Sequence, residues 1–470
     1  MDVEGAREEA AAAGREKTGT VWTATAHIVT VMIGSGVLAL AWTFAQLGWV
    51  AGPAALLAFA GVTYYTSALL ADCYRHPDPL TGAPNSEFID AVRCYLGPRK
   101  ASWCAFIQYA NVWATLVGYT ITTITSLSAM YRVQCFHGEG SAAAAGVACV
   151  PSGSWGLYLM VAFFAVQVPL SQLPNLEKIA WLSFAAVATS FGYSLILLGL
   201  CFAKWGLHHG DVRGSAAGAR AASPVDKLSN MFLAVGNIAF SYIYTEVLIE
   251  IQDTLKAPPA ENKTMKRASL YGLVVSTVFY LLLGVSGYAA FGDGAPGNLL
   301  AGAAVHEPFW LVDVANACVV IHFAAAYQVF AQAVFARLER CVAGRWPAAW
   351  LAQSKYQLRL PAAAATVSVS PMSLALRTAV VAATTVVAML VPFFNAVLGL
   401  VGAMGFWPLS VYFPVAMHIA RRKIRRGEAR WWMLQAMSAC CLLVSVAMGA
   451  ASVKDIVDNL KGAAPFKSVY

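Results

Sequence analysis

The stretch HIVTVMIGSGVL, residues 27–38, places a histidine and a Gly34–Ser35–Gly36 run inside an otherwise apolar segment. Each glycine costs a helix interior roughly 1 kcal/mol relative to alanine, so the run needs a reason. Two readings are open. Small residues let a neighbouring helix approach closely. Alternatively, the chain unwinds here, and the free N–H groups that open the next half-helix receive an anion such as a carboxylate. His27, Val31 and Gly34 lie at i, i+4 and i+7, so a helix puts them on one face. An isolated histidine in an apolar helix is commonly a hydrogen-bonded packing residue. Beside a break, its titration near neutral pH makes His27 a candidate for proton coupling.

A second polar interruption lies in AVGNIAFSYIYTEVLIEIQDT, residues 234–254, where Gly236, Asn237, Ser241, Tyr242 and Thr245 crowd together. Glu246, Glu250 and Asp253 follow at i, i+4 and i+7. A carboxylate at membrane depth costs about 2.5–3.5 kcal/mol on insertion scales and usually lines a cavity or meets a base. Glu250 and Asp253 fall near the end of the segment, where a solvated pair close to Lys256 is an equal reading; Glu246 is deeper. A third segment, 310–332, carries Asp313, Asn316, His322, Tyr327 and Gln328. His322 follows Asp313 by nine residues, roughly half a turn around a straight helix, so the two face one cavity only if the helix bends. Glycines 399, 402 and 405 recur every third residue, and close packing is favoured there over a hinge.

The elements that position these residues follow from composition. The chain has 470 residues, is 59% hydrophobic and 12% charged, and its mean hydropathy is +0.61. Soluble domains carry about 25% charged residues. Long apolar runs recur from residue 22 to residue 450, each near the ~20 residues that cross a bilayer as a helix. Eleven spans are predicted, at about 22–45, 49–71, 103–130, 155–172, 179–203, 229–252, 268–290, 308–336, 373–391, 396–419 and 431–450. The alternation of a β-barrel, in ~10-residue segments, is absent. The two interrupted helices stand five spans apart, as a 5+5 inverted repeat requires.

Charge orients the spans. With the N-terminus in the cytosol, the inside segments hold 24 of the 32 Lys and Arg. The C-terminus is then extracellular. The net charge of +8 reports this topology rather than nucleic-acid binding, and RRKIRR, 421–426, reads as a helix end anchored on anionic lipid. The tail MDVEGAREEAAAAGREKTG lacks a signal-peptide pattern, so the first span is expected to serve as the targeting signal. Cys135 and Cys149 share a predicted extracellular loop, where a disulfide is reasonable. No Cys/His set has metal-site spacing. Asn262 opens a glycosylation-type NKT triplet, discounted because it falls on the predicted cytosolic side. No catalytic motif is present, and no cofactor is expected.

The string TGTVWTATAHIVTVMIGSGVLALAWTFAQLGW resembles the first helix of plant amino acid permeases, in the amino acid/auxin permease family of the APC superfamily. The likeness continues through ADCYRHPDPLTG, LSQLPNLEKIAWLS, LIEIQDTLKAPPAENKTMKRAS and GYAAFGDGAPGNLL, and into GAMGFWPLSVYFPVAMHIARRKI. It implies an all-α LeuT-type fold. A cytosolic tail (1–20) precedes a first five-helix repeat (21–203), an extracellular loop (204–227) and a second repeat (228–420) containing a cytosolic 341–372 loop. An eleventh helix and extracellular terminus complete it (421–470). The resemblance further implies a plasma-membrane symporter coupling amino acids to protons. Ile33, Gly34, Ser35 and Gly36 would hold the substrate carboxylate, while Gly236, Asn237, Phe240, Ser241 and Thr245 would meet its amino group and side chain. His27 and His322 match family histidines and, with Glu246, are the proton-coupling candidates. Two departures stand out: Asn237 and Ala396 occupy positions where the family commonly has aspartate. Alternatives are a carrier of a related solute such as auxin, proline or GABA, or an amino acid sensor without turnover. Oligomeric state has no signature in the sequence.

Overall fold

A computed structural model describes residues 17–78, 81–139, 155–172, 180–207, 210, 212–301, 308–345, 356–360 and 365–462. Cys149, most of the N-terminal tail and parts of the expected loops at 132–154 and 341–372 lie outside the described residues.

The first predicted span begins as α1, Val21–Met32, opened by a reciprocal cap. The Thr20 hydroxyl accepts from Thr23 N–H, and the Thr23 hydroxyl accepts from Thr20 N–H. Its 12 residues reach roughly 18 Å, short of a ~30 Å hydrocarbon core. The path resumes in α2, Gly36–Ala71, whose first arm ends at Gly48. There φ is 82°, a conformation that favours glycine, and the chain turns into the second predicted span. The backbone of 215–219 straps this turn: Trp49 N–H donates to the Ser215 carbonyl and Ala219 N–H to the Ala45 carbonyl.

A short β1–β2 pair (Arg75–His76 with Ala83–Pro84) and the amphipathic α3, Phe88–Leu96, precede α4, Pro98–Glu139. Next come α5, Trp155–Ser171, and α6, Ala180–Leu207. The second half opens with α7, Pro224–Ser241, capped by Ser223 with proline at its first position. After a break follows the short α8, Leu248–Asp253, then α9, Glu261–Phe291, and α10, Phe309–Arg345. An antiparallel hairpin, β3 Tyr356–Leu360 with β4 Ala365–Val369, occupies the loop expected at 341–372. The chain closes with α11, Pro371–Leu390, α12, Phe394–Gly405, a π-helical turn at Phe406–Tyr412, α13, Phe413–Arg422, and α14, Ala429–Gly462.

Among the described residues, eight helical segments are long and apolar enough to cross a membrane, with Val21–Met32 and Trp155–Ser171 as shorter apolar helices. The protein is a multi-pass membrane protein. The interior segments, Pro224–Asp253 and Phe394–Arg422, are the most buried of the eight, and α7 lies between α2, α12 and α14. Gly236 is what lets α7 and α12 meet: a Cβ there would stand 2.9 Å from the Gly399 Cα, and one on Gly402 would overlap the Gly236 carbonyl. The glycines of α12 therefore serve close packing.

Candidate functional site

Two interruptions meet in the middle of this bundle. In the first, Ile33 leaves the helical region (φ −79°, ψ 84°) and Gly34 N–H folds back onto the Met32 carbonyl at 2.9 Å. The N–H groups of Ser35 and Gly36 have no acceptor among the described residues. They sit at the positive end of the α2 dipole, the arrangement that suits an anion. The two glycines differ. A Cβ built on Gly34 has no atom within 4 Å, whereas one on Gly36 would overlap the Ser241 Oγ. Gly34 borders open space, and Gly36 lets the first break press against the second.

The second break falls at Tyr242–Tyr244, between α7 and a 3-10 turn, Thr245–Val247. Tyr242 and Tyr244 are fully buried. The Ser241 hydroxyl donates to the Asn237 carbonyl at 3.0 Å, and the Thr245 hydroxyl donates to Ser410 in the π turn at 2.7 Å. Phe240 is half-buried.

Tyr280 of α9 joins the two breaks. Its buried hydroxyl lies 2.5 Å from the Met32 carbonyl and 3.2 Å from the Ser241 carbonyl, the last helical carbonyl before each interruption. A single O–H bridges two helix ends, and it is the one donor to the Ser241 carbonyl among the described residues. Ser190 of α6 adds a tie, donating to the Ile33 carbonyl at 2.5 Å. Neither residue was legible as a site residue; a lone hydroxyl in an apolar helix does not announce which carbonyl it meets.

The remaining candidates scatter around this centre. His27 shares an exposed face of α1 with Thr23 and Val31, while Ile28, Val29 and Met32 turn to the core. The expected i, i+4, i+7 face exists, but at His27 it is turned away from the packed interior. His322 is buried; its Nδ1 lies 2.7 Å from the Ala186 carbonyl, which requires a proton on Nδ1, and Tyr193 stands edge-on at 5.6 Å. Asp313 contacts Gln134 and is separate from His322.

Glu246 is buried against α4, where Gln108 Nε2 donates to its backbone carbonyl at 3.4 Å; its Oε2 has no partner among the described residues. Glu250 Oε1 accepts from Phe88 N–H at 3.1 Å, placing a carboxylate at the start of α3. Asp253 is not a solvated partner of Lys256. It pairs with Lys17 at 2.8 Å and accepts from the Tyr74 hydroxyl at 2.6 Å.

Asn237 is buried with its Nδ2 donating to Asn395 Oδ1 at 3.1 Å, and its Oδ1 has no partner among the described residues. Asn395 directly precedes the buried Ala396 in α12, so Asn237 meets the chain neighbour of the second departure. Cys135, at the far end of α4, is disulfide-bonded. Among the described residues no cluster of three His, Cys, Asp or Glu side chains has metal-site geometry.

Paired interruptions at matching places in two halves of a helical bundle define the broken-helix carrier architecture. Two solved structures are similar to this chain in fold. MhsT in complex with L-phenylalanine superposes with a TM-score of 0.54 at 11% identity, over 93% of this chain and all of that one. The inward-facing conformation of Mhp1 gives 0.51 at 13% identity, over 97% and 93%. At such identities the likeness concerns the fold, which is LeuT-type. The chain belongs to the transmembrane amino acid transporter family, whose profile, "Transmembrane amino acid transporter protein", matches residues 17–457. Similar relatives include amino acid permease 1 of Arabidopsis thaliana, 48% identical over 461 residues (97% of this chain, 93% of that protein). Amino acid permease 2 of the same plant is 46% identical over 458 residues (97% and 91%).

Proposed function

We propose that this protein is a proton-coupled amino acid symporter that imports its substrate across the plasma membrane by alternating access, with its N-terminus in the cytosol. The observation that carries the reading is the apposition of the two breaks. Unpaired N–H groups at Ser35 and Gly36 can take a carboxylate, and Gly34 leaves room beside them. Carbonyls at the end of α7 lie within the same contact and can accept from an α-amino group. An amphoteric ligand fits that pair of opposite helix ends. Family membership and the names of the Arabidopsis permeases support amino acids as the class.

For the proton, Glu246 and His322 are favoured over His27. Both are buried in the bundle, and Glu246 has an oxygen without a partner among the described residues, while His27 stands on an exposed face. In alternating access the first half of each broken helix shifts with its bundle, and a group that changes surroundings between states can take up and release a proton.

The test is expression in oocytes with current recording across an amino acid panel at about pH 5.5 and about pH 7.5, on either side of the usual histidine range. Inward current that grows as pH falls supports symport. Glu246→Gln, His322→Gln and His27→Gln are recorded in parallel, and loss of the pH dependence in one of the first two is expected. Binding of substrate without current or radiolabel uptake sinks the reading in favour of a sensor.

A further inference from the structure

The N-terminal ends of α1 and α9 enclose a cavity of about 270 Å³. Thr20, Trp22, Lys256, Arg267 and Tyr271 are among its lining residues, and no carboxylate lines it. The surrounding corner is rich in ion pairs: Lys17 holds Asp253, Arg75 holds Glu261, and Lys266 holds Asp72, at 2.8, 2.6 and 2.7 Å. Lys256 and Arg267 take no part in them, and among the described residues neither side chain has a carboxylate partner. Among the described residues each local carboxylate is committed elsewhere, so the two cations face one cavity with no counter-charge from them.

The cavity sits at the border between polar and apolar surface. Trp22 and Tyr271 stack at its rim with ring centroids 5.8 Å apart and planes 17° apart, both exposed, as interfacial aromatic residues are. From Tyr271, the exposed side chains of Val274, Val275, Val278 and Leu282 continue down one face of α9. That stripe suits acyl chains. The first-turn N–H groups of α1, which has no acidic residue in that turn, add a positive dipole end beside the cations.

We infer that this cavity binds the phosphate-bearing headgroup of an anionic lipid, held by Lys256 and Arg267, with its acyl chains along the Tyr271–Leu282 face of α9. The inference rests on the cytosolic placement of the N-terminus, the side where anionic lipids concentrate. A lipid there touches the first turn of α1, the half-helix hinged at 33–35.

Native mass spectrometry of the purified full chain in detergent tests it, with phosphatidic acid, phosphatidylcholine and inorganic phosphate as probes. Phosphatidic acid is expected to bind in preference to phosphatidylcholine, and the Lys256→Ala/Arg267→Ala variant to weaken it by about tenfold or more, on the scale of two headgroup cations. The charge-keeping Lys256→Arg/Arg267→Lys variant retains it. Unchanged binding in the alanine variant overturns the inference. So does an equal affinity for inorganic phosphate, which assigns the cavity to a free anion. The assay involves no transport, so its failure leaves the symport reading untouched.

Discussion

Removing one hydroxyl tests the clasp between the two breaks. Tyr280→Phe keeps the ring, including its edge-on contact with Tyr242 at 5.7 Å, and deletes the donor that reaches Met32 and Ser241. The consequences at the two carbonyls are unequal. The Met32 carbonyl retains Gly34 N–H at 2.9 Å, whereas the Ser241 carbonyl has no other donor among the described residues. One buried carbonyl is therefore orphaned, at a cost of about 1–3 kcal/mol. The ring leaves almost no cavity, so that figure is nearly the whole effect. Thermal unfolding of the purified protein should shift down by a few degrees, on the order expected for such a loss in a large chain. Transport reports on the same bond. If the clasp is made in one conformation and broken in another, its loss changes their ratio by up to about tenfold per 1.4 kcal/mol, and the Michaelis constant for uptake moves with it. Wild-type thermal stability together with wild-type uptake kinetics would refute the reasoning, because a bond that costs nothing to delete holds nothing together.

The two glycines of the first break should respond differently. Gly34→Ala has space for its methyl and is expected to fold and reach the membrane normally while raising the uptake Michaelis constant; Gly36→Ala drives a methyl into Ser241 and should lower thermal stability by about 1–3 kcal/mol. Equal stability of the two variants contradicts the packing role of Gly36. At Asp72, burial pushes the carboxyl up, but hydrogen bonds from Lys266 and Asn262 and the charges of Lys266 and Arg421 outweigh it and hold it below its ordinary 3.8. A depressed folded-state value gives stabilisation that is complete above the unfolded value and is lost only as pH falls through the folded one. Wild type should therefore exceed Asp72→Asn by a difference on the order of 3 kcal/mol that is flat between about pH 5 and about pH 7.5. A difference that shrinks within that window is incompatible with this assignment.

The first break was legible because glycine, serine and glycine in an apolar run are costly unless they do something. The second was legible only as a region. The polar cluster at 236–245 marked it, yet the chain unwinds at Tyr242–Tyr244, among side chains that carry no breaker signal. Gly236, which looked like part of the interruption, stays helical because α12 needs its missing Cβ. The every-third-residue spacing of glycine in α12 favours packing, and close helix contact is where these glycines stand. His27 shows the limit of periodicity: spacing tells which residues share a face, and nothing in it tells whether that face meets the core. The hairpin at 356–369 and the short α3 left no clear pattern in the sequence.

By itself, the sequence determined that this chain crosses a membrane repeatedly as helices, because apolar length and backbone hydrogen bonding leave no other solution in lipid. It also marked 34–36 as costly for a continuous first helix, since local backbone cost is written in residue type. Tertiary structure alone decided what those interruptions touch. Tyr280 reaches from residue 280 to carbonyls at 32 and 241, and Asn237 finds Asn395, across separations that no local pattern encodes. Likewise, Lys256 and Arg267 became distinct from the other cations of their corner only when each neighbouring carboxylate was seen to be taken. Partners are set by which helices pack together, and that is a property of the whole bundle.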